Sequence, residues 1–123
     1  MRQILEFITF EGKMPVSEFI SKLDLKVQRK ISTNLINLKN SEYSMQPPLV
    51  KTFKLDKYKG LYELRVRIKQ AVRIIFYLDK SGNIILLHGF IKKEERATRK
   101  ALETARARQL ALAAKEANVT LKL

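Results

Sequence analysis

Cations alternate with apolar residues over Gly60 to Lys93, GLYELRVRIKQAVRIIFYLDKSGNIILLHGFIKK, a pattern suited to holding phosphate. Successive side chains of a strand point to opposite faces, so Glu63, Arg65, Arg67 and Lys69 lie on one side and Tyr62, Leu64, Val66 and Ile68 on the other. The run Val72 to Leu78 repeats the alternation, with Val72, Ile74, Phe76 and Leu78 apolar and Arg73, Ile75 and Tyr77 opposite. A hairpin with its loop at Lys69 to Ala71 sets Ile68 near Val72, Arg67 near Arg73 and Glu63 near Tyr77. It gathers Arg65, Arg67, Arg73 and Tyr77 on one face. Like charges directly across a strand pair cost a few tenths to about 1 kcal/mol, so Arg67 against Arg73 calls for an anionic ligand. A planar guanidinium pairs with two phosphate oxygens at once, which makes these three arginines the candidates for that contact.

Metal-independent cleavage of RNA needs a base near the 2′-hydroxyl, cations around the phosphate and an acid for the leaving oxygen. It would leave DNA untouched, which lacks that hydroxyl. A pair of histidines is not available for the proton transfers, because His88 is the only one. A lysine crowded by other cations has its pKa lowered, so Lys54, Lys92 or Lys93 can carry a proton, and Tyr77 can serve in the same way. His88 ends a strongly apolar strand on the side of Leu86; strand-end packing is its first reading and substrate contact its second. Asp24, Asp56 and Asp79 are isolated, no cluster has metal-ligand spacing and no glycine-rich phosphate loop occurs, so neither a metal nor another cofactor is expected.

The elements that must position these residues follow from periodicity. Arg2 to Phe10 reads as an opening strand that joins the sheet, followed by a turn at Glu11-Gly12-Lys13. Val16, Phe19, Ile20 and Leu23 form a helical stripe behind Pro15, and Asp24 caps a second helix with the stripe Val27, Ile31, Leu35, Leu38 and Ile36 alongside. Asn40 to Pro48 is a loop, and Lys51 to Lys59 is a short strand or an ordered approach to the meander. Asp79 to Asn83 is a turn, Ile84 to Phe90 a central strand covered on both faces, and Glu94 to about Asn118 a long helix whose apolar stripe is weak at Ala97, Ala101, Leu102 and Ala105 and stronger at Leu110, Leu112 and Ala113. The fold class is therefore α+β: an antiparallel sheet of about four strands in the order β-α-α-β-β-β-α, helices on one side, with residues 1–123 as a single domain.

Composition bounds the partners. A formal net charge of +13 favours nucleic acid, an anionic membrane surface or an acidic protein. The absence of cysteine removes disulfides and thiol chemistry and agrees with a cytoplasmic location. The first residues lack a signal peptide's pattern, and no apolar run is long enough to span a bilayer, so no membrane role is expected.

The segments GLYELR (Gly60 to Arg65), VRIIFY (Val72 to Tyr77), LLHGFIKK (Leu86 to Lys93) and the Ala/Arg helix at Lys100 to Arg108 together resemble the RelE/HigB toxin superfamily, in particular its phage-derived HigB-like branch. The resemblance implies a RelE-like fold and a type II toxin–antitoxin toxin, a ribosome-dependent messenger RNA endonuclease that stops translation. It implies catalytic roles for Arg65, Arg73, Tyr77, Lys92 and Lys93. Lys51, Lys54, Arg67, His88, Arg96 and Arg99 are candidates for substrate binding. It also implies a cognate antitoxin with a helix-turn-helix part, a higher-order complex of the two, and the ribosome with its message as target. Two stretches depart from the family pattern: Glu94-Glu95-Arg96 follows the paired lysines, and Ala71-Val72 precedes Arg73. A non-catalytic alternative on the same scaffold is a ParE-like gyrase poison or a nucleic-acid-binding accessory protein.

Overall fold

The computed structural model describes residues 2–40 and 45–122, with side chains described as far as residue 114. Strand β1 (Ile4–Glu6) is followed by helices α1 (Pro15–Ser21) and α2 (Leu25–Asn40), then by β2 (Val50–Thr52), β3 (Leu61–Arg67), β4 (Ala71–Leu78), β5 (Ile84–Ile91) and α3 (Glu95–Lys122). A 3-10 turn at Asp56–Tyr58 links β2 to β3, so the stretch from Lys51 contains both a strand and an ordered approach. The expected order of elements holds. The sheet has five strands rather than four, in the order β1-β5-β4-β3-β2, and is mixed because β1 runs parallel to β5. The middle strand is β4, and β5 lies one place towards the β1 edge. Part of the loop expected at Asn40 to Pro48 lies outside the described residues.

The sheet is the middle of three layers, which corrects the expectation of helices on one side. Against α1 and α2 it presents Leu64, Val66, Val72, Ile74, Phe76, Ile84 and Leu86, which pack with Val16, Val27, Ile31, Leu35 and Leu38. Against α3 it presents Leu61, Ile75, Ile85 and Leu87, which pack with Ala101, Leu102 and Ala105. The weak half of the α3 stripe is therefore its buried half: small side chains let helix and sheet approach closely, whereas Leu110 is 62% exposed. The inner face of α3 uses Thr98 in place of Ala97, since Thr98, Ala101, Leu102 and Ala105 follow helical spacing and all four are buried. Ile36 lies off the α2 stripe and is exposed.

The β3–β4 hairpin turns at Ile68 to Gln70, pairing Arg67 with Ala71. This register differs by two residues from the expected one. A slip of two residues keeps every side chain on its face, so the apolar rows fit either register; the observed one puts Tyr62 opposite Phe76, with the rings stacked at 5.4 Å. Arg65, not Arg67, consequently faces Arg73, and Glu63 faces Ile75 rather than Tyr77. At the next turn Asp79 accepts hydrogen bonds from the amides of Ser81 and Asn83, while Gly82 takes φ +83°.

A β-bulge interrupts β5. Ile75 pairs with His88 but Phe76 pairs with Leu86, which leaves Leu87 as the extra residue. The bulge turns His88 to the α3 face, away from the side of Leu86 on which unbroken alternation places it. It also turns Gly89 towards α1, where an added Cβ would stand 2.4 Å from the ring of Phe19. Gly89→Ala should therefore destabilise the fold by about 1–3 kcal/mol through overpacking against α1, measured as a lowered urea midpoint with an unchanged slope.

Candidate functional site

The α3 face of the sheet changes character along its length. Near the start of β3 and the end of β4 it is apolar, with Leu61, Ile75 and Ile85 under α3 and Tyr77 packed at their edge. Towards the β3–β4 turn it carries Glu63, Arg65 and Arg67 on β3 and Arg73 on β4. Lys51 of β2 sits beside Glu63 in the strand register, and the amide of Lys92 bonds to the carbonyl of Ala71 at the end of β5. Three strands and the chain just beyond a fourth thus bring cations to one end of one face.

Glu63 is the centre of this cluster, with a side chain only 1% exposed. Its Oε1 lies 3.5 Å from Nε of Arg65 and 3.6 Å from Nε of Arg73. Neither contact is a hydrogen bond: both Nε groups and the Glu63 Oε2 are buried without a hydrogen-bonding partner, as is the hydroxyl of Thr98 on α3. The arginines are held by charge. Arg73 is 7% exposed and donates from Nη1 to the Val72 carbonyl at 3.2 Å. Burial pushes its guanidinium below the ordinary arginine range, Glu63 acts in the opposite sense, and the charges of Arg65 and Arg67 push it further down. Arg65 is partly open to solvent and Arg67 exposed, so the cluster runs from a buried arginine to a solvated one.

Lys92 is mostly buried and pairs with Glu95 at 3.0 Å. That lysine, followed by the more distant charges of Lys51 and Arg99, holds the Glu95 carboxyl below its usual range. The acid that interrupts the family pattern after the paired lysines therefore lies within the field of three cations. Lys93 and Lys54 are exposed, Lys51 Nζ lies 5.9 Å from the Phe53 ring centre, and Arg96 pairs with Glu94.

Of two further expected residues, Tyr77 stands apart from the arginines, whereas His88 stacks on Phe90, the residue across from Arg73. Tyr77 is four positions along β4 from Arg73, about 13 Å at the rise of an extended strand. His88 faces α3, where Arg108 Nη1 donates to the Leu87 carbonyl at 2.7 Å and contacts His88 Nδ1 at 3.2 Å. Since arginine can only donate, Nδ1 accepts, and the neutral ring carries its proton on Nε2. Burial first, and the charge of Arg108 second, lower the His88 pKa to about 4. Arg106 binds the carbonyls of Lys57 and Lys59, so two arginines of α3 fasten the helix to the sheet layer rather than facing solvent. An open cleft of about 750 Å³ between residues 6–10 and Ala111, Leu112 and Ala114 has no lysine or arginine in its lining. Among the described residues no group of three or more His, Cys, Asp or Glu side chains is placed to hold a metal, and no helix is long and apolar enough to cross a membrane.

Pairing across strands could not reveal Glu63 as the link between the arginines while the register put it beside Tyr77. Its position two residues before Arg65, on the same face, was the available signal. Thr98 was legible from helical spacing alone. The family model described as "Phage derived protein Gp49-like (DUF891)" matches residues 18–110, which takes in the second half of α1, all of α2, all the cations of the cluster and the buried half of α3. No curated protein matches the chain.

Because the folded protein keeps His88 neutral down to about pH 4 while an unfolded chain protonates it near its ordinary value of about 6.5, its contribution is present above pH 6.5 and is lost as pH falls towards 4. Urea midpoints measured across that window should fall with acidification, and His88→Gln should flatten the fall.

Proposed function

Since the chain belongs to the phage-derived Gp49-like family, within the RelE/HigB-like toxin superfamily, we propose that it is the toxin of a type II toxin–antitoxin pair and cuts messenger RNA on the ribosome without a metal. The observation that carries this reading is the direct pairing of Arg65 with Arg73 beside Arg67, at an end of the sheet where Lys51 and Lys92 also converge. A phosphodiester set against Arg65 and Arg67 meets two guanidinium forks, and the buried Arg73 adds a charge little screened by water. In this reading Lys92 and Lys93 divide the proton transfers, one taking the proton from the attacking 2′-hydroxyl and the other delivering a proton to the leaving 5′-oxygen, with Lys54, Arg96 and Arg99 guiding the flanking strand. The partner that restrains the toxin is an antitoxin with a DNA-binding helix-turn-helix part, whose acidic segment neutralises the arginines; the pair acts in the cytoplasm and forms a larger assembly.

The second reading, a non-catalytic binding protein that poisons gyrase or coats nucleic acid, is favoured by one feature. Tyr77 stands towards the other end of the face, and His88, although near Arg73 across the sheet, has its Nδ1 engaged by Arg108, so neither is well set to accept a proton at the arginines.

Induced expression should arrest growth and translation, and primer extension on messages from a translating extract should show cuts at codon-related positions that a chelator does not change. Arg73→Ala should lower cleavage by about 100-fold, the scale of one removed oxyanion donor, while circular dichroism shows the fold retained. Deoxyribose at the cut nucleotide should abolish cleavage. Arrest without any cut message would select the second reading.

A further inference from the structure

Arg65 and Arg73 form a directly opposed like-charge pair, an arrangement that repels and is costlier where Arg73 is shut off from water. We infer that Glu63 is a positioning residue for this pair: a resident anion that holds the two guanidinium groups together in the free protein, so that an RNA phosphate can take their outer side. The inference rests on the reading of the cluster as a phosphate contact. Its own support is the placement of Glu63. At 1% exposure the carboxylate cannot meet a substrate, so neither a base role nor a surface ion pair accounts for it. Both arginines approach the same oxygen through Nε, which leaves the Nη1/Nη2 edge of the Arg65 fork for a ligand. The three arginines outnumber the single acid, so the site stays attractive to phosphate. The unpaired Oε2 and the two unpaired Nε groups show that charge rather than directed hydrogen bonding holds the group. Such an arrangement can tighten when a second anion arrives.

If Glu63 serves as the counter-anion, an external anion should replace part of its effect. The test uses the full chain as wild type, Glu63→Gln, which removes the charge at nearly constant shape, and Glu63→Asp, which keeps the charge but withdraws it by one methylene. Thermal midpoints are measured in inorganic phosphate and in chloride at matched ionic strength; cleavage of messenger RNA in a translating extract and affinity for a 2′-O-methyl RNA oligonucleotide, which the proposed mechanism cannot cut, are measured in parallel. Glu63→Gln should melt below wild type in chloride and recover at least half of that loss in phosphate, with wild type shifting less. Glu63→Asp should bind the oligonucleotide within about 2-fold of wild type yet cleave about 10-fold more slowly or worse, because displacement on the ångström scale costs rate before it costs charge-driven binding. A phosphate shift in Glu63→Gln no larger than in wild type overturns the inference, as does wild-type cleavage by Glu63→Asp. If Glu63→Gln does not fold in either salt, the Glu63→Asp cleavage rate decides. Should wild type cut no RNA, the nuclease reading fails, and the phosphate recovery by itself decides the role of Glu63.

Discussion

A carboxylate buried between two guanidinium groups from neighbouring strands is the constraint around which the rest of this fold is arranged. Burying charge is costly, and removing one partner of a buried pair typically costs about 3–5 kcal/mol because the other is left uncompensated. Arg65 neighbours Glu63 along β3 in any register, but Arg73 reaches the same carboxylate only because of how β3 and β4 pair. The register read from alternation alone, with Arg67 opposite Arg73, would preserve both apolar rows and would carry Arg73 away from Glu63. The ion cluster thus selects among registers that hydrophobic patterning leaves equivalent. The stacked Tyr62 and Phe76 rings on the opposite face act in the same direction.

The layers above and below give that cluster its mixed character. On one side α1 and α2 cover an apolar surface, at whose edge Glu6 of β1 accepts hydrogen bonds from Ser17 of α1. On the other, α3 approaches the sheet through alanines and a threonine, and Arg106 and Arg108 fasten it to backbone carbonyls at Lys57, Lys59 and Leu87. Both fastenings lie well along the helix, away from the arginine cluster. Near the cluster the start of α3 contributes a buried, unpartnered Thr98 hydroxyl and an exposed Glu95 that pairs with Lys92.

Much of this was legible in the sequence wherever the physics has a short period. Alternation placed Arg65, Arg67 and Arg73 on one face, and the 3.6-residue stripes of α1 and α2 matched their buried residues. What escaped had no local signal. The parallel pairing of β1 with β5 depends on contacts about 80 residues apart in the chain. The true partner of Arg73 depends on a register to which parity is blind. The second helical layer was hidden because Ala101 and Ala105 carry little hydrophobic signal, although their small size is what lets α3 sit closely on Ile75 and Leu87. The burial of Glu63 had no signal in alternation, because it shares its row with Arg65 and Arg67, of which Arg67 is exposed.

The bulge at Leu87 has a consequence for how this protein tolerates insertion and deletion. It acts as a reading-frame shift between the two halves of β5. Residues before it follow one parity and residues after it the other. Deletion of Leu87 itself would leave His88 and Gly89 where they are, whereas straightening the strand with every residue kept would exchange them between layers. An imidazole would then be driven against Phe19, where not even a methyl group fits, and Arg108 would lose the ring nitrogen that accepts its contact. For a strand of this length the bulge therefore keeps the packing of α1 and the anchoring of α3 in phase, and the one position at which a residue can be lost without shifting either is the bulge itself.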